Sequence, residues 1–394
     1  MRIGLATWSS RRVAGVEEYL ALLIPALHEA GHEIALWHEV DEPLGRPLIP
    51  LKTAVHFCAS DLGIDESIRA IRSWMPDVLY VHGLRDVAAE AKLLDVAPAV
   101  LFVHTYMGTC ISGSKAFARP SLTPCDRRFG APCLLHFFPR GCGGNSPLTM
   151  WKLYKRESTR LQLLNRYRGI VTHSHHMRDE MTGHGLPTEV IPFPVEKQPV
   201  DGMTSPGDTW RLLFAGRMHY LKGGPLLVGA LPRVVAGTRR RVQVIFAGDG
   251  PDRADWEARA RRVQSETGSH LAIEFTGWLP NDQIVKMMRE ADLLVVPSVW
   301  PEPLGSVGPM AAQHGVPAAA FSVGGISEWL TDGVSGHLAP ADPPTASGLA
   351  EAILRCLSEP SHYAALRSGA QEMAARFAMD RHLPALMAAL ERAR

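Results

Sequence analysis

Arg217 and Lys222 stand five residues apart in AGRMHYLKGG, at the end of a short apolar run and within a glycine-punctuated turn. Two fixed cations so placed can face one diphosphate and offset the charge that builds as it departs, a task otherwise given to a bound metal. No Asp-x-Asp pair is present to hold such a metal. In PSVWPEPLG, after another apolar run, Glu302 can accept hydrogen bonds from the hydroxyls of a sugar, and Gly305 lets backbone approach a ligand with no side chain between. The sequence predicts a helix from near Ser306 with Pro309 in its first turn, whose unpaired N–H groups suit phosphate. Each feature alone also fits a plainer role, as a basic surface loop or a solvated loop acid.

These side chains need a scaffold that brings strand ends together. The chain has 394 residues, more than one hydrophobic core usually holds, so two domains are expected. Hydrophobic residues at 46% and charged residues at 21% are ordinary for a packed globular protein. Lys plus Arg at 41 against Asp plus Glu at 40 leaves a net charge of +1, so no global field selects nucleic acid and any anion site must be local. No apolar run reaches the ~18 to 20 residues needed to span a bilayer, and a cytoplasmic chain is expected, at most peripheral at the inner membrane face.

RIGLAT, EIALW, DVLYVHG, AVLFVHT and GIVTHS read as strands separated by helical stretches, the first being EEYLALLIPALHEA with Gly31 as its C-cap. After the linker-like segment Glu196–Asp208, RLLFAGR, VQVIFAGDG, LAIEFTGW, DLLVVPS and VPAAAFS repeat the alternation. Such alternation means parallel α/β sheets, here one in each of two Rossmann-like doubly wound domains, 1–200 and 201–375. From Thr345 onward the chain reads as helical, and the final helix, 376–394, could cross back to the first domain. Facing domains of this kind would put the carboxyl ends of both sheets on one cleft.

In order and spacing, AGRMHYLKGG, AGDGP, FTGWLP, PSVWPEPLG, GVP and SVGGISE resemble the donor lobe of glycosyltransferase family 4, the retaining, GT-B-fold group that includes glycogen synthases and mannosyltransferases. The resemblance implies a metal-independent hexosyltransferase moving a sugar from a nucleoside diphosphate, UDP or GDP, to a glycan, lipid-linked or small-molecule acceptor. By it, Arg217 and Lys222 bind the diphosphate, Glu302 touches the transferred sugar, and Gly216, Gly305, Ser306 and Val307 line the donor. The loop SSRRVAGVEEY resembles the family's glycine-bearing loop, with Gly15 at the matching place. His104, closing AVLFVH, matches a histidine beside the sugar, and Ser174 in VTHSHHM a serine that closes a strand. At the family's second glutamate, eight residues after Glu302, this chain has Met310, and a thioether cannot accept hydrogen bonds from a ribose diol as a carboxylate does. Gln313 and His314 lie one turn on. That substitution keeps a non-catalytic nucleotide-sugar binder as an alternative, with another GT-B enzyme such as an epimerase or a phosphorylase behind it.

Arg11 and Arg12 could meet an anionic acceptor or be solvated. Cys110, Cys125, Cys133 and Cys142 crowd into a Pro- and Gly-rich insert near 105–147. Four thiolates could hold a structural zinc, but no Cys-x2-Cys knuckle supports it, and separately packed thiols are the simpler expectation. TMWKLYKRESTRLQLLNRYRG reads as a helix with a solvated basic face and with Leu, Trp and Tyr turned to the core; contact with an anionic membrane is the alternative.

Overall fold

The computed structural model describes residues 1–12, 15–42, 46–49, 54–196 and 207–394. Most of the expected linker and the expected boundary at residue 200 lie outside the described residues. The chain divides into two units: Met1–Lys115 with Asp126–Pro194 and Met379–Arg394, and Ala116–Cys125 with Val195–Ala378.

In the first unit β1 (Arg2–Ser9), β2 (Glu33–Val40), β3 (Ala54–Cys58), β4 (Val78–His82), β5 (Ala99–Phe102), β6 (Gly169–Thr172) and β7 (Glu189–Val190) form one sheet in the order β3-β2-β1-β4-β5-β6-β7. Every neighbouring pair is parallel. The central strands are buried along their length, which is why their sequences run apolar without alternation. The helix Gly15–Glu29 lays Tyr19, Leu20, Leu23, Ile24 and Leu27 on the core, and Gly31, at φ +82°, ends it as expected. The last helix, Met379–Ala393, belongs to this unit, where it packs on β4, β5 and β6 through Leu386 and Leu390.

The second unit repeats the pattern with β8 (Thr209–Ala215), β9 (Arg241–Ala247), β10 (Leu271–Gly277), β11 (Leu293–Val296), β12 (Ala318–Phe321) and β13 (Gly336–Ala339). Their order is β10-β9-β8-β11-β12-β13, again all parallel. In both sheets the order reverses beside the first strand, between β1 and β4 and between β8 and β11. Ligands of doubly wound sheets bind outside the carboxyl ends of the strands at such a reversal.

The cysteine-bearing insert has a small core of its own. Ile111, Phe129 and Phe137 are buried, with Cys133, Leu134, Phe138 and Cys142 packed on them from the insert and Met150, Leu153, Tyr154 and Leu161 from the helix Pro147–Leu164. That packing corrects the expectation for this helix. Met150, Leu153, Tyr154 and Leu161 supply its inward stripe, so Leu148 and Trp151 are turned outward, 62% and 56% exposed. Deeper in, Glu157 accepts the Gly108 amide at 2.7 Å and buried Arg160 pairs with Glu90 at 3.6 Å, so the basic face is not wholly solvated.

Candidate functional site

The second unit's strand ends carry the constellation. Gly216 follows β8 and donates its amide to Ala247, after which Arg217 projects exposed, with no side-chain hydrogen bond or ion pair among the described residues. The turn continues through the 3₁₀ segment Tyr220–Lys222 into the helix Gly224–Gly237. Gly223 joins them at φ +69°, where a β-carbon would lie 1.8 Å from the Pro297 carbonyl oxygen. Glycine is required there both by backbone angle and by contact. The glycines of AGDGP serve the same close approach, since β-carbons at Gly248 and Gly250 would strike the carbonyls of Gly216 and Met218.

After β11 the chain runs Pro297, Ser298, Val299, Trp300, Pro301, Glu302. The Val299 amide donates to Leu221, tying this loop to the Lys222 turn at 3.0 Å. Lys222 Nζ lies 2.6 Å from Glu302 Oε1 and 5.3 Å from the Trp300 ring centroid. The Ser298 hydroxyl donates to the same Oε1. Glu302 is only 4% exposed, yet its Oε2 makes no hydrogen bond among the described residues. One carboxylate oxygen is thus committed to holding the side chain, and the other is available to a ligand hydroxyl. From the far side Gly324 and Gly325 clamp the loop. The Gly325 amide donates to the Glu302 carbonyl at 2.6 Å, and a β-carbon on Gly324 would meet Glu302 backbone.

Gly305, at φ +81°, turns the chain into the helix Val307–Ala312, held by the Trp329 indole donating to the Leu304 carbonyl at 2.7 Å. Ser306 stands before the first turn without a side-chain cap, and the Gly308 amide bonds Gly305. Met310 is half-buried in this helix. The structure therefore brings Lys222 and Glu302 together and sets Arg217, Gly216, Gly305, Ser306 and Val307 on the same two strand-end loops. Ser298 was not singled out in the sequence, although it lies one helical turn's distance before Glu302 in the same motif.

In the first unit His104 follows β5 and His82 ends the adjacent β4, and their rings share a hydrogen bond, Nε2 to Nδ1, of 3.0 Å. Burial pushes the His104 imidazole down to about 3, so it is neutral at physiological pH. His82 is held well below its ordinary value by burial, then by His104 and His382. His173, after β6, gives or takes a hydrogen bond at the Ile191 carbonyl, and burial lowers it likewise. On the last helix His382 bonds Tyr19 Oη at 2.8 Å and the Pro192 carbonyl at 2.7 Å. Of this cluster the sequence points to His104 alone, because His82, Tyr19, His173 and His382 meet only through the fold.

The other residues singled out in the sequence lie as follows in the fold. Ser174 is fully buried as the N-cap of the helix His175–Gly183, accepting from the Met177 amide. Arg11 is half-buried and paired: it grips Asp41 through Nε and an Nη nitrogen, both at 2.7 Å, while Arg12 pairs with Glu18. Gly15 opens its helix, and residues 13 and 14 before it lie outside the described residues. None of the six cysteines is in a disulfide. Cys110 accepts the Lys115 amide, and Cys133 and Cys142 donate to the carbonyls of Arg128 and His136. Cys125 lies in the short segment assigned to the second unit. Among the described residues no three His, Cys, Asp or Glu side chains are gathered as a metal ion would need, the insert's cysteines included. No helix there is long and apolar enough to cross a membrane.

The family model described as Glycosyltransferase Family 4 matches residues 13–198, and that described as Glycosyl transferases group 1 matches residues 209–359. The chain is 34% identical over 183 residues to 2-deoxystreptamine glucosyltransferase of Streptomyces kanamyceticus, covering 45% of this chain and 44% of that one. It is 30% identical over 310 residues to glycogen synthase of Mycobacterium tuberculosis, covering 74% and 62%. The matches thus span about half of these curated relatives. Among solved structures, Anabaena Alr3699/HepE in complex with UDP and glucose superposes with a TM-score of 0.73 over 99% of each chain at 19% identity, a likeness of fold. With the two models falling on the two Rossmann-like units, the chain belongs to glycosyltransferase family 4 and has the GT-B fold.

Proposed function

We infer that this protein transfers a sugar from a nucleoside diphosphate sugar to an acceptor, with retention of anomeric configuration. The observation that carries the inference is the Ser298–Glu302–Lys222 cluster beside exposed Arg217, unpaired among the described residues, at the strand-order reversal of the second unit. Arg217 and Lys222 would neutralise the departing diphosphate, while Glu302 Oε2 would hold a hydroxyl of the sugar. Backbone of Gly216, Gly305, Ser306 and Val307 would approach the donor where side chains would intrude. His104, neutral, would give or accept a hydrogen bond at the transferred sugar rather than supply charge.

UDP is the favoured nucleotide, since the solved structure of like fold binds UDP and glucose. For the acceptor, one relative is named for a small aminocyclitol and another for a glycan, so both classes belong in the test. Retention needs no protein nucleophile if the acceptor attacks the face from which the diphosphate leaves, with a donor phosphate oxygen taking the proton. Charge stabilisation by Arg217 and Lys222 needs no metal. Half-buried Met310 favours one second reading, a nucleotide-sugar binder without turnover.

The test is release of UDP or GDP from a panel of sugar nucleotides, with and without aminocyclitol and oligosaccharide acceptors, and NMR assignment of the product anomer. Acceptor-dependent release with a retained anomer is expected. A product of inverted configuration, or no release with any donor, would refute the inference.

A further inference from the structure

The helix Pro147–Leu164 exposes a face that the site above does not use. Leu148, Trp151, Lys152 and Lys155 are all exposed, and at spacings of three and four they line one side of its first two turns. The insert's short helix Pro132–His136 sends half-buried Cys133 and Leu134 into the small core that Met150 and Leu153 also enter, with Leu135 turned outward at 76% exposure. Phe129 packs on Tyr154 at 5.3 Å, with exposed Arg127 two residues before it in the chain, while the Arg128 guanidinium lies against Gly183 of the helix His175–Gly183. Among the described residues Arg127, Arg128, Lys152 and Lys155 form no ion pair.

The charge is local. From Asp126 to Glu157 there are six Lys and Arg and two acids, of which Glu157 pairs with Arg156, in a chain of net charge +1. A soluble polyanion would match the charge and leave Leu135, Leu148 and Trp151 in water. An anionic bilayer takes both components, with the apolar side chains and the indole at the headgroup boundary and the lysines among the phosphates. We propose that this face docks the protein on a membrane surface bearing anionic headgroups. The contact is peripheral, a few side chains deep, and independent of the donor chemistry inferred above.

Co-sedimentation of the full chain with phosphatidylglycerol–phosphatidylcholine vesicles, against phosphatidylcholine alone, tests it. Binding only to the anionic vesicles is expected, weakening as salt is added. Lys152→Gln with Lys155→Gln lowers the partition coefficient about 30-fold, and Leu148→Ser with Trp151→Ser about tenfold or more. All four side chains are exposed, so unchanged thermal melts will show that the variants fold. Absence of sedimentation with anionic vesicles overturns the proposal. So does binding that the lysine variant loses and the Leu148–Trp151 variant keeps, which marks a polyanion surface instead.

Discussion

Acidification should destabilise the first unit by an amount its buried histidines set. Each takes up a proton in the unfolded chain near the ordinary value of 6.5, whereas in the folded unit burial pushes His104 down to about 3 and His382 to about 4. Because the folded values are depressed, the neutral forms' stability is fully present above pH 6.5 and is lost as pH falls towards 4 and 3. At pH 5 each of the two costs about 2 kcal/mol, so together they remove about 4 kcal/mol, a large share of the roughly 5–15 kcal/mol typical of a folded domain. Any folded value of about 4 or below gives nearly the same figure at pH 5. His82 and His173 act in the same direction. The assay is chemical denaturation at pH 7.5, 6 and 5 on the wild type and on His382→Phe. The variant removes one titrating group, so its loss between pH 7.5 and 5 should be smaller by about 2 kcal/mol. It will start lower, because the Pro192 carbonyl loses its partner. Equal stability at pH 7.5 and 5, or the same slope in the variant, would refute the reasoning.

Met310→Glu restores the acid that family 4 has at this position, and nucleotide affinity by calorimetric titration should rise about 10- to 100-fold, the worth of a charged acceptor to a diol. An unchanged Kd would mean that ribose recognition lies elsewhere. Ser298→Ala removes one of two donors on Glu302 Oε1 and should cost about 1 kcal/mol at the sugar, seen as a roughly fivefold loss in kcat/KM for the sugar nucleotide. Affinity for the bare nucleotide should not change; an equal loss in both would show that Ser298 supports the loop rather than the carboxylate.

Much of the fold was legible because parallel strands buried on both faces leave unbroken apolar runs, as in β1, β2, β4, β5, β6, β11 and β12, whereas β8, β9 and the edge strand β10 are buried less evenly and show through their Leu, Val, Ile and Phe alone. Others did not. The edge strand β3 carries exposed Val55 and His56, β7 is two residues long, and Gly-His-Leu-Ala in β13 has too little β-branched character to stand out. Of the candidate site, Lys222 and Glu302 were legible through motif spacing, and the structure adds that they share one carboxylate oxygen with Ser298. The pairing of His82 with His104 was hidden, since residues at the ends of neighbouring strands are 22 apart in sequence. Trp151 misled because a helix's apolar residues face whichever neighbour exists, and the insert packs on Met150, Leu153 and Tyr154 instead.

The most direct test of the central claim is isothermal titration of UDP, GDP and ADP into the wild type and into an Arg217→Ala, Lys222→Ala double variant. Saturable binding of one nucleotide, UDP, is expected, and its loss in the double variant. Binding that survives removal of both cations would contradict the assigned diphosphate site, and no binding of any nucleotide would contradict the donor site itself.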